Sequence, residues 1–586
     1  MLLPTNTASK LFSTWTGPAK ILKKRSPYSY DVEMSDGSKR CFHANHLRKF
    51  HVRVESVLYD SSVYDVSNCD ACNFDGIDVK SCSVMFEDDE DFGYINPVPE
   101  RVDNPSCYIL PSTVIDPSAI EHLNTDQQRA LLTLLDEFSD CFSEIPGFTS
   151  VVTHSIPLTD DFKPKRLPAY RVPERLKTEV SKQIHEMLEN QIIRPSNSPM
   201  SSPLVCILKG RDGSAGVRLA VDYRYVNKFT RDDAFPMPYL QSIYQSVSKS
   251  NVISVIDCKS AYWQLGCNAD DVWKTAFVCD DGQYEFLRCP FGLKNSGTSF
   301  VRAMQKIISP IKEVAKSFVD DVAVHSNDWS DHLLDLRKFL EVIKRAGLTL
   351  NLKKCKWGHS QVRFCGKIVG SGKISADPEK LEVLDQMETP KTKKELRRIL
   401  GFFGYFRESI PNFAGIAKPL TDLTSKRFRT QIPWSEIHQE AFCNLKEALK
   451  KAVDEPLHSV DFTKPLSLFT DANECSVAAA LTQLNDNGNY LPVAFSSTKL
   501  NETQRKWSVV EKESFAVLTA SRRYNDWIIG SSVTVYVDHN PLTYLTETMP
   551  KSPKLIRWAL SLQQFNVTFK YYPGHKNVVA DCLSRI

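Results

Sequence analysis

Two short apolar runs in this chain are cut by carboxylates, and this constrains the fold more than any other feature. Val252–Ile256 runs directly into Asp257, and Phe318–Val324 is interrupted by Asp320 and Asp321. Runs of this length, rich in β-branched residues and bounded by turn formers, predict strands over 252–256 and 318–324. Burying them puts acidic side chains at the edge of a core. An unpaired carboxylate is costly there, and a divalent cation is the usual remedy. In an extended strand Asp320 and Asp321 face opposite ways, whereas a tight hairpin turn lets both approach one site. On the dipeptide alone, an exposed Asp-Asp turn is the commoner outcome.

A length of 586 residues predicts about three or four domains. With 42% apolar and 24% charged residues the chain can bury sizeable cores, which excludes wholesale disorder. No apolar run approaches the ~20 residues of a membrane span, and the opening MLLPTNTASK does not read as a secretory leader. The 16 cysteines are spread singly, which suits a reducing compartment. A soluble, intracellular, multidomain protein is expected.

Charge is unevenly distributed. Residues 1–53 carry ten Lys/Arg against three Asp/Glu, whereas residues 54–125 carry two against fifteen. A basic head and a moderately basic body suit a polyanionic partner, although ordinary solvated surface accounts for the charge equally well. Segments 19–22 and 28–34, with a hairpin signal at Asp36-Gly37, make residues 8–53 a small β module. The acidic stretch that follows predicts a flexible linker. Cys69, Cys72 and Cys82 within it lack a fourth ligand at a zinc spacing, so no zinc site is expected.

From Asn124 onward the pattern is globular. Leu176, Val180, Ile184, Met187 and Leu188 form one stripe of a helix over 174–191. Strands are expected at 204–208 and 217–221, and helices at 297–309 and 330–346, the latter stopped by Gly347. Thr392 and Glu395 form a capping box. Val369–Ser375, VGSGKIS, lacks the glycine spacing and the Ser/Thr after lysine that a phosphate loop needs.

A second set of acids lies toward the C-terminus. It comprises Asp471, Glu513, Asp538 and Asp581, with His575 nearby, spread over a strand, a helix, a strand and a final helix. Individually each is an ordinary surface acid. Glu511 rivals Glu513, but the following Ser-Phe-Ala-Val favours Glu513.

Several segments, in order, resemble the reverse transcriptase of gypsy-like LTR retrotransposons: 193–198, 218–227, 257–265, 290–295, 318–321, 347–355 and 363–366. Residues 377–424 are similar to that family's connecting region. The resemblance implies that Asp257, Asp320 and Asp321 hold two Mg²⁺ ions, which Mn²⁺ can replace. It makes Tyr262 a steric gate against a ribose 2′-hydroxyl and sets Phe291 beside the incoming sugar. Arg218, with Lys209 or Arg211, takes the triphosphate in charge-assisted hydrogen bonds. Gly210 interrupts the family's usual pair of lysines, Phe318 replaces a commoner Tyr, and Gly297 stands where Pro is usual.

The second set resembles the RNase H domain of the same elements. That likeness implies two further Mg²⁺ ions on Asp471, Glu513, Asp538 and Asp581, with His575 on a loop aiding product release. The interval from His575 to Asp581 is short for the family. Residues 15–18, 36–37 and 43–47 resemble the SH3-like tail module of gypsy-type integrases.

The expected architecture is multidomain α+β and α/β. It comprises an SH3-like β-barrel (8–53), an acidic flexible linker (54–123), reverse transcriptase fingers and palm (124–372), a thumb or connection (373–460) and RNase H (461–586). The implied function is RNA-directed DNA synthesis by two-metal nucleotidyl transfer, with hydrolysis of the RNA strand of the hybrid. Implied partners are an RNA template, a DNA primer, the RNA–DNA hybrid, dNTPs, and duplex DNA or chromatin through the head, with no membrane. A cytoplasmic retroelement particle and the nucleus are the implied locations. The alternative is a truncated or domesticated remnant that binds nucleic acid without catalysis.

Overall fold

A computed structural model describes residues 108–208, 216–425, 428, 431–538 and 552–572, together with five short strands between residues 3 and 43. The chain divides into two units, Met1–Asp91 and Phe92–Ile586. In the first unit Lys20–Ser26, Ser29–Glu33 and Lys39–His43 form a three-stranded antiparallel sheet, and Leu3–Pro4 pairs with Trp15–Thr16. Glu33 pairs with Lys39, and Asp36 and Gly37 lie outside the described residues. Cys69, Cys72 and Cys82 lie outside the described residues.

The centre of the second unit is a four-stranded antiparallel sheet. Its order is Ala315–Phe318, Asp321–Ser326, Val252–Asp257, Lys356–His359. Helices Thr125–Glu137, Ser296–Ile308 and Trp329–Ala346 supply Leu131, Leu135, Phe300, Met304, Leu336 and Phe339 to a core shared with Ile256, Val322 and Val324 of that sheet. Gly347, at φ 71°, ends the last of these helices in the left-handed conformation that glycine adopts without strain.

A separate core holds the five-stranded sheet that includes Ser202–Leu208 and Val217–Val221, with helix Lys177–Glu189 burying Val180, Ile184 and Met187 against it. A third core, from Ala376 to Leu449, is helical. Its helix Lys393–Tyr405 begins at the Thr392/Glu395 capping box. The fourth core belongs to a mixed five-stranded sheet ordered Tyr490–Lys499, Ser476–Leu484, Leu466–Ala472, Ser532–Val537, Asn566–Tyr571, against which helix Val509–Arg523 packs. Leu466–Ala472 is antiparallel to one neighbour and parallel to the other.

Two expectations change. The run 318–324 is not one strand. Ala315–Phe318 and Asp321–Ser326 are consecutive antiparallel strands closed at the Phe318/Asp321 pair. The acidic stretch also gives way to folded chain before residue 123. Helix Pro111–Val114 and the 3₁₀ turn Pro117–Ile120 are formed, and Ile120 and Leu123 are buried in the first core, which takes their apolar surface out of water. Among the described residues no helix is long and apolar enough to cross a membrane.

Candidate active sites

The first carboxylate group is built by strand register. Val252–Asp257 runs antiparallel to Asp321–Ser326, and the last pair of that ladder is Asp257 opposite Asp321. Val319 and Asp320 form the two-residue turn between Phe318 and Asp321. Two-residue hairpins need a positive φ at their first central residue, and Val319 supplies it at 58°. A β-branched side chain in that region costs about 1–3 kcal/mol and needs surrounding structure to hold it there. The strain puts Asp320 at the tip, next to Asp321.

Asp321 is half-buried. Burial first, then the charges of Asp320 and Asp257, raise its carboxyl above the ordinary range. Lys354 Nζ lies 3.4 Å from Asp257 Oδ2. The Cys365 thiol, 3.7 Å from Asp321 Oδ2, donates to that carboxylate.

Beside this group, Ser260 at φ 46° turns the chain out of its strand into the 3₁₀ turn Ala261–Gln264. Buried Gln264 fixes the turn: its amide donates to the Lys259 and Thr349 carbonyls at 2.7 and 2.9 Å and accepts from Thr349 N at 2.7 Å. Tyr262 therefore has a defined position. Its ring packs 5.1 Å from Phe291, and the Arg218 guanidinium lies 5.3 Å over the other ring of that pair, Phe291. Arg218, Phe291 and Tyr262 are thus brought together, while Lys209 and Arg211 lie outside the described residues. A Cβ at Gly297 would sit 3.5 Å from the Tyr262 hydroxyl, an ordinary contact.

The second group is tighter. Asp471 lies near the end of strand Leu466–Ala472, Asp538 follows the neighbouring parallel strand Ser532–Val537, and Glu513 projects from helix Val509–Arg523. One carboxylate oxygen from each of the three falls within 4.8 Å of the others. Among the described residues this is the one such convergence; Asp257, Asp320 and Asp321 do not close to that distance.

Glu513 is 2% exposed. Its Oε1 accepts from Ala472 N at 3.1 Å, and its Oε2 is buried with no hydrogen-bond partner. Burial, then Asp538 and Asp471, push its carboxyl up to about 9. A buried, like-charged oxygen donor set of this kind fits a hard divalent cation, which removes the repulsion and satisfies the orphaned oxygen. Glu511 plays another part: it closes the capping box with Ser508 and pairs with Lys554 Nζ at 3.1 Å. His575 and Asp581 lie outside the described residues.

Sequence reasoning missed Lys354, Gln264 and Cys365. All three sit in segments already matched by motif, so a nearby charge and a polar core side chain were there to be noticed in the first two. Nothing in the sequence ties Cys365 to Asp321, 44 residues before it.

An antiparallel sheet with facing aspartates, in one unit with a mixed sheet bearing three converging carboxylates, has the layout of a polymerase palm beside an RNase H-like fold. The homologues of this chain are retrotransposon Pol polyproteins. Residues 207–369 match the family model for reverse transcriptase (RNA-dependent DNA polymerase), and residues 461–565 match that for the RNase H-like domain found in reverse transcriptase.

The chain is 35% identical over 483 residues to the retrovirus-related Pol polyprotein from transposon opus of Drosophila melanogaster, covering 80% of this chain and 48% of the relative. To the corresponding polyprotein from transposon gypsy of the same fly it is 32% identical, covering 76% and 44%. It spans about half the length of the curated relatives it matches. Among solved structures, it is similar to the foamy viral protease-reverse transcriptase dRH in complex with double-stranded DNA (TM-score 0.69, 25% identity, 77% of this chain and 79% of that one). It is also similar to the foamy viral protease-reverse transcriptase in complex with RNA/DNA hybrid (TM-score 0.64, 25% identity, 78% and 62%). Both matched families generally use divalent metals.

Proposed function

We propose that this chain copies RNA into DNA and hydrolyses the RNA strand of the resulting hybrid. The observation that carries the reading is the presence of two separate carboxylate groups in one unit, each within a region matched to the corresponding enzyme family.

In the polymerase, Asp257, Asp320 and Asp321 would hold Mg²⁺, or Mn²⁺ in its place, with two ions at the site. In the nuclease, Asp471, Glu513 and Asp538, together with Asp581, would do the same. Bound metal supplies activation of the attacking hydroxyl or water and neutralises charge on the leaving group. The chain's own residues do the rest. The Asp257/Asp321 register brings together the two carboxylates that would face the primer 3′ end. Arg218 binds triphosphate oxygens with Lys209 or Arg211. Phe291 offers a flat apolar face to the dNTP sugar. Tyr262, held by Phe291 and by the Gln264-anchored turn, fills the space a 2′-hydroxyl would need. His575 would assist product release from the nuclease.

The four cores support a partition into fingers, palm, connection and RNase H. Residues 8–53, as an SH3-like integrase tail, would contact duplex DNA or chromatin through their basic charge, joined to the body by the acidic linker. Template RNA, DNA primer and hybrid are the partners of the body, and a cytoplasmic particle and the nucleus are the places of action. Extension of a DNA primer on a homopolymeric RNA template, with Mg²⁺ and purified full chain, tests the reading. A binding-only remnant gives retention of the template without extension.

A further inference from the structure

Hairpin 362–370 reaches the polymerase carboxylates at its tip, where Cys365 meets Asp321. Strands Val362–Phe364 and Lys367–Gly370 are joined by Cys365 and Gly366, both with left-handed backbone at φ 43° and 82°. Glycine adopts that conformation freely, whereas for cysteine it is strained. The strain is held from behind. The Tyr244 and Tyr405 hydroxyls both donate to the Cys365 carbonyl, at 2.8 and 2.5 Å, and lie 3.0 Å from each other.

Beneath the two rings sits Lys367, 4% exposed, its ammonium 5.0 Å from the Tyr244 ring and 6.0 Å from that of Tyr405. A buried lysine is rare unless its charge is met, and here two ring faces and the nearby Glu408 carboxylate meet it. The result of this scaffolding is that the Cys365 thiol points at Asp321 Oδ2 across 3.7 Å.

We infer that Cys365 is a positioning residue for Asp321, its thiol fixing the carboxylate's orientation while Tyr244 and Tyr405 hold its backbone in the strained conformation that this contact requires. The inference rests on the polymerase reading above. Asp321 is flanked by two like charges, Asp257 opposite and Asp320 adjacent. Repulsion alone would let it rotate away from them. A donor on one oxygen leaves the other oriented for metal, as outer-shell partners do for carboxylate ligands.

The test compares full-length Cys365→Val, which keeps the volume and loses the donor, with Cys365→Ser, which keeps a donor. A third variant, Tyr244→Phe with Tyr405→Phe, retains the thiol but releases its backbone. Primer extension is measured as a function of Mg²⁺, and Mn²⁺ binding is measured directly by calorimetry in an Asp471→Asn, Asp538→Asn background that silences the nuclease site. Cleavage of the hybrid, measured without those two changes, reports folding.

The half-saturating metal concentration for extension and the Mn²⁺ dissociation constant should both rise about tenfold in Cys365→Val and in the double Tyr variant. Cys365→Ser should stay within about twofold of wild type, and hybrid cleavage should be unchanged. Equal metal affinity in wild type and Cys365→Val overturns the inference, as does a loss of extension and cleavage together at unaltered metal dependence. A wild-type chain that binds Mn²⁺ but extends no primer overturns the polymerase reading instead, and the binding comparison still decides the role of Cys365. No Mn²⁺ binding at this site overturns both.

Discussion

Asp257 lies directly opposite Asp321, as the terminal pair of the two central palm strands. In an antiparallel ladder, residues directly opposite share a face and stand about 4.5–5.5 Å apart at Cα. Like charges there destabilise the sheet, a liability that Lys354 beside Asp257 offsets in part and that a bound divalent cation would relieve. The account of this chain grows from that pair and from its counterpart around Glu513.

The proposed steric gate predicts that sugar selection depends on Tyr262. With its ring held by Phe291 and its turn by Gln264, Tyr262→Val opens space at the sugar without moving the backbone. Ribonucleotide incorporation should rise by about 10- to 100-fold while dNTP incorporation largely survives. Single-nucleotide incorporation with matched rNTP and dNTP checks it. Unchanged discrimination refutes the gate, and a general loss of activity with a lowered melting temperature marks Tyr262 as packing only.

Glu513 sets function against stability. Its carboxyl is buried beside two other acids and pushed up to about 9, so without metal it burdens the fold at neutral pH. Glu513→Gln should abolish hybrid cleavage yet stabilise the metal-free protein by at least about 1 kcal/mol, roughly 4 °C in melting temperature for a domain near 100 residues. Mg²⁺ should stabilise the wild type more than the variant. Thermal unfolding in chelator and in Mg²⁺ measures this, and a destabilised metal-free variant contradicts it.

Three buried histidines govern acid stability. His154, His325 and His332 are each pushed to about 4, chiefly by burial. Ser299, Ser250 and Ser254 hydroxyls lie 2.9, 3.0 and 2.8 Å from them, and the Nε2 atoms of His154 and His325 are buried without partners. A ring whose folded pKa lies below its unfolded value takes up its proton more readily when unfolded. Stability is therefore full above pH 6.5 and falls as pH drops toward 4, by up to roughly 3 kcal/mol per ring. Urea unfolding at pH 7.5, 6 and 5 should show this loss, and His332→Gln should flatten it. A stability constant across that window contradicts the prediction.

The basic head is separable from catalysis. Deleting residues 1–53 should leave primer extension per enzyme unchanged while weakening binding to duplex DNA at low salt and reducing its salt dependence. Fluorescence anisotropy over a salt series decides. Equal affinity and equal slope with and without the head count against a DNA-contacting role.

Much of this fold was legible in the sequence, for identifiable reasons. Strand Val217–Val221, the Gly347 helix stop and the Thr392/Glu395 capping box came out as read, because each rests on chemistry local to a few residues. The hairpin at 318–321 stood only as an alternative to an extended strand, because Val319, a β-branched residue, occupies the left-handed turn position that sequence rules reserve for Gly, Asn or Asp. The Glu511/Glu513 ambiguity is resolved by burial: one caps its helix at the surface, the other faces Asp471 and Asp538. The Cys365 contact with Asp321 depends on a Tyr pair drawn from positions 244 and 405, and no local pattern foretells such a meeting.

The central claim is that one chain carries two independent carboxylate engines. The direct measurement is primer extension and hybrid cleavage on the same preparations of wild type, Asp321→Asn and Asp471→Asn. Removing a carboxylate that anchors metal should cost several orders of magnitude at its own site. Asp321→Asn should therefore lose extension and retain cleavage, and Asp471→Asn should lose cleavage and retain extension. Loss of both activities in either folded variant, or no metal-dependent activity in the wild type, would contradict the account.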